Sequence, residues 1–174
     1  MSSSDGPLIT EPGIEIDERG QWIFQNQPID NPSVLNYFKT QLFRHADGRY
    51  YIENVFGARK EHGYLKRVAG FPLRAVRITP LAKDADSENS SVTQIEIQLE
   101  TGESCVVPID NLRIFASDTL AVILPSGVPA RLSALAMASL VEYLDMDAGE
   151  NFFLRVSGER IALSGADFAT WFDS

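Results

Sequence analysis

The segment 57–67 concentrates side chains that suit the binding of an anion. Two basic pairs flank a glycine-hinged turn that carries one histidine and one tyrosine, so the candidate ligand-binding residues are Arg59, Lys60, His62, Tyr64, Lys66 and Arg67. Arginine presents a planar fork of donors that fits phosphate or carboxylate, and lysine presents a point charge. We therefore expect this loop to bind a small anionic ligand or an acidic protein, with Tyr64 stacking on it and His62 making the contact sensitive to pH.

The charges of the chain are unevenly distributed. Residues 39–77 hold 9 of the 15 Lys and Arg but only 3 of the 24 Asp and Glu, which gives this segment a charge of +6 within a chain of net charge −9. Such an asymmetry marks where an acidic partner could dock. The net charge disfavours wholesale coating of nucleic acid, because most of the surface would repel phosphates, while local binding through the basic segment stays open.

His62 is also the better acid–base candidate of the two histidines. A catalytic histidine needs an orienting acid or a nucleophile beside it, and the carboxylates expected near His62 are Glu61 and Glu53. The second hypothesis is therefore a hydrolase-like or transferase-like enzyme that uses His62 as its acid–base group. His45 follows a predicted helix, where a cation interacts well with the helix dipole, so we expect it to be structural.

Motifs for metals, cofactors and covalent catalysis are absent from the sequence. The two histidines and Cys105 show no HxH, HxxxH or CxxC spacing, and no glycine-rich phosphate signature is present. Segment 145–150 resembles the start of a calcium loop but lacks its glycine at position 6 and its glutamate at position 12. We expect no metal, no cofactor and no assigned catalytic residue, and we interpret Cys105 as a packed side chain.

Length and composition indicate a small cytoplasmic protein. With 174 residues, of which 44% are hydrophobic and 22% charged, the chain suits one domain or two small modules. The first residues lack the charged and apolar regions of a secretory signal. No apolar run approaches the roughly 18–20 residues that span a membrane, so no membrane association is expected.

The periodicity of apolar residues predicts an α+β fold of mainly antiparallel sheets with two principal helices. The first helix follows N-cap candidates at 30–33, and its apolar spacing includes Leu42 and Phe43. The second helix is predicted over 133–144. Alternation predicts strands over 73–81 and 92–99, whereas glycines indicate irregular structure over 56–72.

The order of elements is similar in the two halves of the chain. The interval from Pro28 to Gly48 is 20 residues, and so is the interval from Pro129 to Gly149. Two similar ββαβ modules and a chance similarity both explain this observation. The predicted organisation is a disordered tail over 1–12, an N-terminal module with the basic segment over 13–81, and a C-terminal module over 92–174 packed on the first.

The predicted helix 133–144 carries a third hypothesis. It contains no Lys or Arg and is apolar on most of its sides. Such a helix packs on two faces or lies at a subunit contact. The protein could thus be the structural subunit of a homodimer built on this helix.

Residues 14–80 resemble an uncharacterised family of bacterial proteins that share a domain of unknown function. The resemblance is carried by Gly20-Gln21-Trp22, Pro28-Ile29, Asp47-Gly48-Arg49-Tyr50 and the stretch from Gly57 to Arg67, and Gly158-Glu159-Arg160 near the C-terminus is compatible with it. The chain is more distantly similar to a eukaryotic mitochondrial family of unknown function. The resemblance implies an intact folded unit and no particular activity.

Overall fold

The computed structural model describes residues 6–81, 94–115, 119–149, 151–156 and 159–173. The described residues divide into two compact units, the first drawn from 1–72, 126–128 and 171–174, and the second from 73–125 and 129–170. Within this described part, mainly antiparallel but partly mixed sheets are combined with three short α-helices. An α+β fold is therefore observed, with more strand and less helix than the sequence predicts.

The first unit contains two four-stranded sheets. One has the order β1-β7-β6-β5, with β1 (Leu8–Thr10), β5 (Leu42–Arg44), β6 (Tyr50–Phe56) and β7 (Arg59–Tyr64). The other has the order β4-β3-β2-β8, with β2 (Ile14–Ile16), β3 (Trp22–Phe24), β4 (Gln27–Pro28) and β8 (Arg67–Val68). The outer strands β1 and β8 pair in parallel with β7 and β2, and the remaining pairs of these sheets are antiparallel.

Helix α1 (Pro32–Thr40) begins where the sequence predicts. Oδ1 of Asn31 accepts hydrogen bonds from the backbone N–H groups of Ser33 and Val34, and Pro32 occupies the first turn. The helix ends earlier than expected, because Leu42 and Phe43 belong to strand β5. Leu42 pairs with Ile52 and is buried, so sheet pairing prevails here over the helical spacing of the apolar residues.

Two aromatic side chains in the core of the first unit donate hydrogen bonds to the backbone. Nε1 of Trp22 donates to the carbonyl oxygen of Pro72 over 3.1 Å. The hydroxyl of Tyr50 donates to the carbonyl oxygen of Trp171 over 2.9 Å, and burial raises the pKa of that phenol. Both aromatic side chains are therefore anchored while they fill the core.

The second unit contains a seven-stranded sheet and a three-stranded sheet. The larger sheet has the order β11-β10-β9-β14-β13-β12-β18, with β9 (Leu73–Leu81), β10 (Gln94–Leu99), β11 (Ser104–Pro108), β12 (Leu112–Phe115), β13 (Thr119–Ile123), β14 (Pro129–Leu132) and β18 (Ser164–Gly165). The smaller has the order β15-β16-β17, with β15 (Leu144–Met146), β16 (Phe152–Val156) and β17 (Glu159–Ala162). A 3-10 turn, Ile109–Asn111, precedes β12, and a short helix α3 (Phe168–Trp171) lies near the C-terminus.

Helix α2 (Ala134–Leu140) is shorter than the predicted helix 133–144. The side chain of Ser133 caps it, as expected, and its buried residues are Ala136 and Leu140. The hydroxyl oxygen of Ser139 lies 2.7 Å from the carbonyl oxygen of Ala136 and 3.2 Å from that of Ile78 on β9. The helix ends because Leu144 begins strand β15 and pairs with Leu154 in the next strand.

Two further predictions are corrected by the sheet that contains β7. The sequence predicts a disordered tail over 1–12, but Leu8–Thr10 forms β1 beside β7; residues 1–5 lie outside the described part. The sequence also predicts irregular structure over 56–72, but Arg59–Tyr64 forms β7. Gly63 is not a break in the chain: it pairs with Ile52, and an added Cβ would lie 3.4 Å from Pro12. A Cβ there would make only ordinary van der Waals contact with Pro12, so Gly63 is accommodated as a regular strand residue.

The two units repeat one topology over eight consecutive elements. The series β2-β3-β4-α1-β5-β6-β7-β8 corresponds to β12-β13-β14-α2-β15-β16-β17-β18. In each series the first three strands and the last strand pair in the same order: β4-β3-β2-β8 in the first unit, and β14-β13-β12-β18 within the seven-stranded sheet of the second. In both units the last strand pairs in parallel with the first strand of the series. The other three strands form an antiparallel meander. The repeated set is larger than the predicted ββαβ module, which is not the unit that the structure shows.

Candidate functional site

Most of the segment 57–67, which the sequence predicts to be a loop, forms the turn and the second strand of the β6–β7 hairpin. Only Gly57 and Ala58 form the turn, and Arg59 already begins strand β7. Because side chains alternate along a strand, Lys60, His62 and Tyr64 share one face of the sheet and Arg59 lies on the other. The six predicted ligand-binding residues are therefore divided between two faces of the sheet and the segment that follows it.

Glu53 lies directly opposite His62 in the β6–β7 pair. Nε2 of His62 is 3.0 Å from Oε2 of Glu53, and Nζ of Lys60 donates to Oε1 of the same carboxylate over 3.1 Å. The side chains of His62 and Glu53 are only 16% and 20% exposed. The hydrogen bond from Lys60, followed by that from His62, lowers the pKa of Glu53 below its usual range. Of the two carboxylates expected beside His62, Glu53 is the one that it meets.

An aromatic row borders this histidine. The ring of His62 stacks on Tyr51 with centroids 4.3 Å apart, and Tyr51 also contacts Phe43 at 5.7 Å and Tyr64 at 5.5 Å. The guanidinium of Arg49 lies 4.2 Å from the ring centre of Tyr64. The ring faces are thus turned toward one another and toward a cation. Such cross-strand pairs stabilise a sheet, and they do not present open ring faces to a nucleobase.

The second unit shows which side chains occupy the equivalent positions. The buried residues Ile52 and Leu154 pair with Leu42 and Leu144, which aligns β6 with β16. Tyr51 and Phe153, which immediately precede Ile52 and Leu154, are then equivalent. His62, opposite Glu53, corresponds to Arg160, opposite Arg155.

Arg160, at the position equivalent to His62, also lies over an aromatic ring. The guanidinium of Arg160 lies 3.8 Å from the ring centre of Phe153, as His62 lies over Tyr51. An acid is present here too, because Asp145 accepts from Arg155 over 2.6 Å and lies 3.6 Å from Arg160. A nitrogen-containing side chain over an aromatic ring, near a carboxylate, therefore occurs in both meanders. Only the first unit places a titratable imidazole there.

A cavity lies at the tip of the β6–β7 hairpin. Its volume is about 860 Å³, and its lining includes Pro7, Leu8, Ile9, Phe56, Arg59 and Lys60. Leu8 and Phe56 are 65% and 64% exposed, so both present apolar surface to solvent beside the cavity. By alternation and pairing, Leu8, Phe56, Arg59 and Glu61 share one face of the sheet. We call this set, with Pro7, Ile9 and Lys60, the hairpin-tip cavity.

The hairpin-tip cavity is built from elements that the second unit does not repeat. The β6–β7 pair continues for two residue pairs, Val55 with Lys60 and Phe56 with Arg59, beyond the pair that corresponds to Val156 with Glu159. Strand β1 has no counterpart beside β17 in the described part of the chain. The exposed apolar side chains and the cations therefore lie on an addition to the shared topology.

The charged residues around the cavity differ in their partners. Lys60 is paired with Glu53, and Oγ1 of Thr10 donates to Oε1 of Glu61 over 2.6 Å. Arg59 is exposed and has no acidic partner among the described residues. Arg59 is thus the cation most open to a ligand.

Lys66 and Arg67 do not line the hairpin-tip cavity. Nζ of Lys66 is 2.6 Å from Oε1 of Glu15, whereas Arg67 is exposed at the start of β8. These two predicted site residues are therefore separate from Arg59 and Lys60.

The other side chains singled out for chemistry have structural surroundings. His45 follows strand β5 rather than a helix, and its Nδ1 lies 3.1 Å from Oδ1 of Asp47. Cys105 lies on β11, and burial raises the pKa of its thiol. Within the described ranges, no group of three His, Cys, Asp or Glu side chains could hold a metal ion. No α-helix in the same ranges is long and apolar enough to span a membrane.

The apolar part of the cavity is the component that sequence reasoning missed. The sequence predicts a tail at Leu8 and an irregular segment at Phe56. A signal was nevertheless present, because Phe56 immediately precedes the Gly57-Ala58 turn, where an exposed polar residue is usual.

Comparison with solved structures shows the fold of the chain. A DUF1285 family protein from Silicibacter pomeroyi DSS-3 matches with a TM-score of 0.62 at 22% identity, over 91% of this chain and 83% of that one. A DUF1285 family protein from Shewanella baltica OS155 matches with a TM-score of 0.51 at 17% identity, over 75% of this chain and 91% of that one. No protein-family model and no curated protein matches the chain.

Both structural neighbours are bacterial proteins of a family of unknown function. They agree with the resemblance to an uncharacterised bacterial family, and the resemblance to a eukaryotic mitochondrial family stays a prediction. The chain therefore has the fold found in two DUF1285 family proteins.

Proposed function

We propose that this protein is a small binding or regulatory module that engages an anionic ligand or an acidic partner at the tip of the β6–β7 hairpin. The observation that carries the proposal is the position of Arg59: an exposed guanidinium, without an acidic partner in the described part of the chain, on the rim of a concave cavity. A guanidinium in this setting offers two parallel donors to a carboxylate or phosphate.

The comparison between the two units supports this location. The cavity residues on β1 and on the two added residue pairs of the β6–β7 hairpin lie outside the topology that the two units share, so this addition is not required for the repeated fold. An exposed apolar cluster beside a cation marks an interaction surface more often than a solvated face.

The His62–Glu53 pair supplies the pH sensitivity in this proposal. It connects to the cavity through Lys60, whose ammonium is bound to the same carboxylate. Histidine is the side chain whose charge changes most readily near neutral pH, so we expect the binding of an anion beside this pair to depend on pH in that range.

A thermal-shift screen tests the proposal. The panel contains inorganic phosphate, ATP, sodium octanoate, an octaglutamate peptide and short RNA and DNA, each at two salt concentrations. The variants are Arg59→Glu and the matched control Arg67→Glu, since both arginines are exposed on the first unit. We expect a saturable, salt-sensitive stabilisation that Arg59→Glu abolishes and Arg67→Glu preserves. Equal responses of the two variants across the panel contradict the proposal.

An enzyme that uses His62 as its acid–base group is the second candidate, and the 3.0 Å contact with Glu53 is the observation that favours it. Against it stands the equivalent arrangement around Arg160, where a residue that does not titrate occupies the same place. A third candidate, a homodimer built on α2, is favoured by the exposure of Leu135 and Val141, at 72% and 66%. Light scattering over a range of concentrations tests that candidate.

A further inference from the structure

We propose that the hairpin-tip cavity binds an amphiphilic monocarboxylate, in which a single carboxylate is joined to an aliphatic chain. This inference deepens the proposed function and rests on it, because it names the class of ligand that Arg59 would hold. The occupant is a small molecule rather than a protein segment.

The walls of the cavity suit an aliphatic chain. Phe56 lies directly across the hairpin from Arg59, and Leu8 lies on the neighbouring strand on the same face. Both side chains are about two-thirds exposed, so a ligand that covers them removes apolar surface from water. Pro7 and Ile9 extend this surface along β1. An inorganic anion would leave all of it exposed.

The charges around the cavity suit one negative charge. Lys60 also lines the cavity, but its ammonium is shared with Glu53. Glu61 lines the cavity as well, and it has Thr10 rather than a cation as its hydrogen-bond partner. One open guanidinium beside one carboxylate disfavours a dianion such as a phosphate monoester, whereas a monocarboxylate matches the planar fork of Arg59.

The size of the cavity suits a small ligand. A volume of about 860 Å³ falls within the range of small-molecule sites, roughly 300–1,000 Å³. A single short strand, β1, and the end of one hairpin form its rim, which offers less area than the roughly 800 Å² per partner of a stable protein interface. These observations favour an aliphatic carboxylate over an acidic protein.

Titration calorimetry with sodium butanoate, hexanoate and octanoate tests the inference. Each added methylene should tighten binding roughly two- to fourfold, because it covers more apolar surface. Octan-1-ol should bind about tenfold more weakly than octanoate, since it lacks the charge. Arg59→Gln should weaken octanoate binding about tenfold, whereas Arg67→Gln should leave it unchanged.

Two further variants separate the parts of the cavity. Phe56→Ser should reduce the gain per methylene, because it removes an apolar wall. Glu61→Gln should tighten octanoate binding about threefold, because it removes a repelling charge while its amide oxygen can still accept from Thr10. Both side chains lie at or near the exposed hairpin tip, so we expect both variants to fold. Circular dichroism spectra of the two variants check this.

The outcomes distinguish the inference from the proposed function. If butanoate or phosphate binds as tightly as octanoate and depends on Arg59, an anion site exists and the amphiphile inference is overturned. If only the octaglutamate peptide binds through Arg59, an acidic partner replaces the small ligand. If no anion or peptide responds to Arg59→Gln, both the inference and the proposed function are overturned.

Discussion

Nε2 of His62 lies 3.0 Å from Oε2 of Glu53, directly across the antiparallel pair of β6 and β7. The same carboxylate accepts from Lys60, which lines the hairpin-tip cavity. Glu53 therefore joins the imidazole ring on one side to a cation that lines the cavity on the other. The arrangement connects the sheet to the cavity through a single acidic side chain.

The substitution Glu53→Gln should destabilise the protein at neutral pH and lose its effect in acid. Since the pKa of Glu53 is lowered in the folded state, its carboxylate stabilises the fold above its ordinary pKa of about 4.5, and that contribution disappears as the pH falls below this value. We expect a loss of about 1 kcal/mol at pH 7, measured by urea unfolding. A control, Glu96→Gln, removes an exposed acid from β10. A loss that is as large at pH 3 as at pH 7 contradicts the prediction.

The substitution His62→Arg should preserve the fold. Arg160 shows that a guanidinium fits over an aromatic ring at the equivalent position of the meander. We expect the free energy of unfolding to change by less than about 1 kcal/mol, with an ion pair to Glu53 retained. Thermal unfolding at pH 7 measures this, and His62→Leu, which cannot pair with Glu53, provides the comparison. Equal destabilisation by both substitutions would refute the structural role of the charged contact.

Gly70 should not tolerate even a methyl group. A Cβ atom there would lie 2.6 Å from the carbonyl oxygen of Asp17 and 2.7 Å from that of Glu18. The obstacle is backbone, so the Gly70→Ala substitution must displace the turn and should cost about 2–4 kcal/mol. Gly165→Ala is the matched control, because the nearest atom to its Cβ is the carbonyl oxygen of Ile114 at 3.9 Å. Similar unfolding midpoints for the two variants in urea would contradict this account.

The equivalent core positions of the two meanders should be comparably sensitive to truncation. Ile52 and Leu154 are 2% and 0% exposed and occupy matching positions in β6 and β16. Ile52→Ala and Leu154→Ala should each cost about 2–5 kcal/mol, because each leaves a cavity in a buried layer. Val55→Ala, at an exposed position of β6, should cost less than about 0.5 kcal/mol. A cost at Val55 equal to that at Ile52 would show that the assigned faces of the strand are wrong.

Local sequence signals located several elements well. The strand predicted over 73–81 is β9, and the N-cap group before the first helix is used by Asn31 as expected. The observed β10 agrees with the alternation over 92–99, of which residues 92 and 93 lie outside the described part. These signals are local, because side-chain alternation and capping depend on residues only a few positions apart.

The sequence-based predictions of secondary structure are wrong where a strand depends on pairing with residues outside its own short stretch of sequence. Leu42 and Leu144 follow helical spacing but begin strands, because each pairs with a residue about ten positions later. Strand β7 was hidden by Gly63, whose neighbour Pro12 lies far away in sequence. The pairing of β1 with β7 joins residues more than 50 positions apart. Periodicity within a short window carries no information about such contacts.

The candidate site was predictable in composition but not in arrangement. Both Glu53 and Glu61 were expected near His62, and only the hairpin register places Glu53 opposite the ring. The sequence groups Arg59 with Lys60 and His62. On strand β7 side chains alternate, so Arg59 lies on the opposite face of the sheet from Lys60 and His62. The sequence predicts a basic loop, whereas the structure shows a cavity with apolar walls. Those walls could be recognised only from the positions of Leu8 and Phe56 in the structure.

The measurement that tests the central claim most directly is amide chemical-shift mapping by NMR, with sodium octanoate and an octaglutamate peptide titrated separately into the wild-type protein. An anion or acidic partner at the hairpin-tip cavity should give its largest saturable shifts at residues 8, 9 and 56–61, and Arg59→Glu should remove them. The claim is contradicted if neither probe shifts these amides, or if the largest shifts lie elsewhere and persist in the variant.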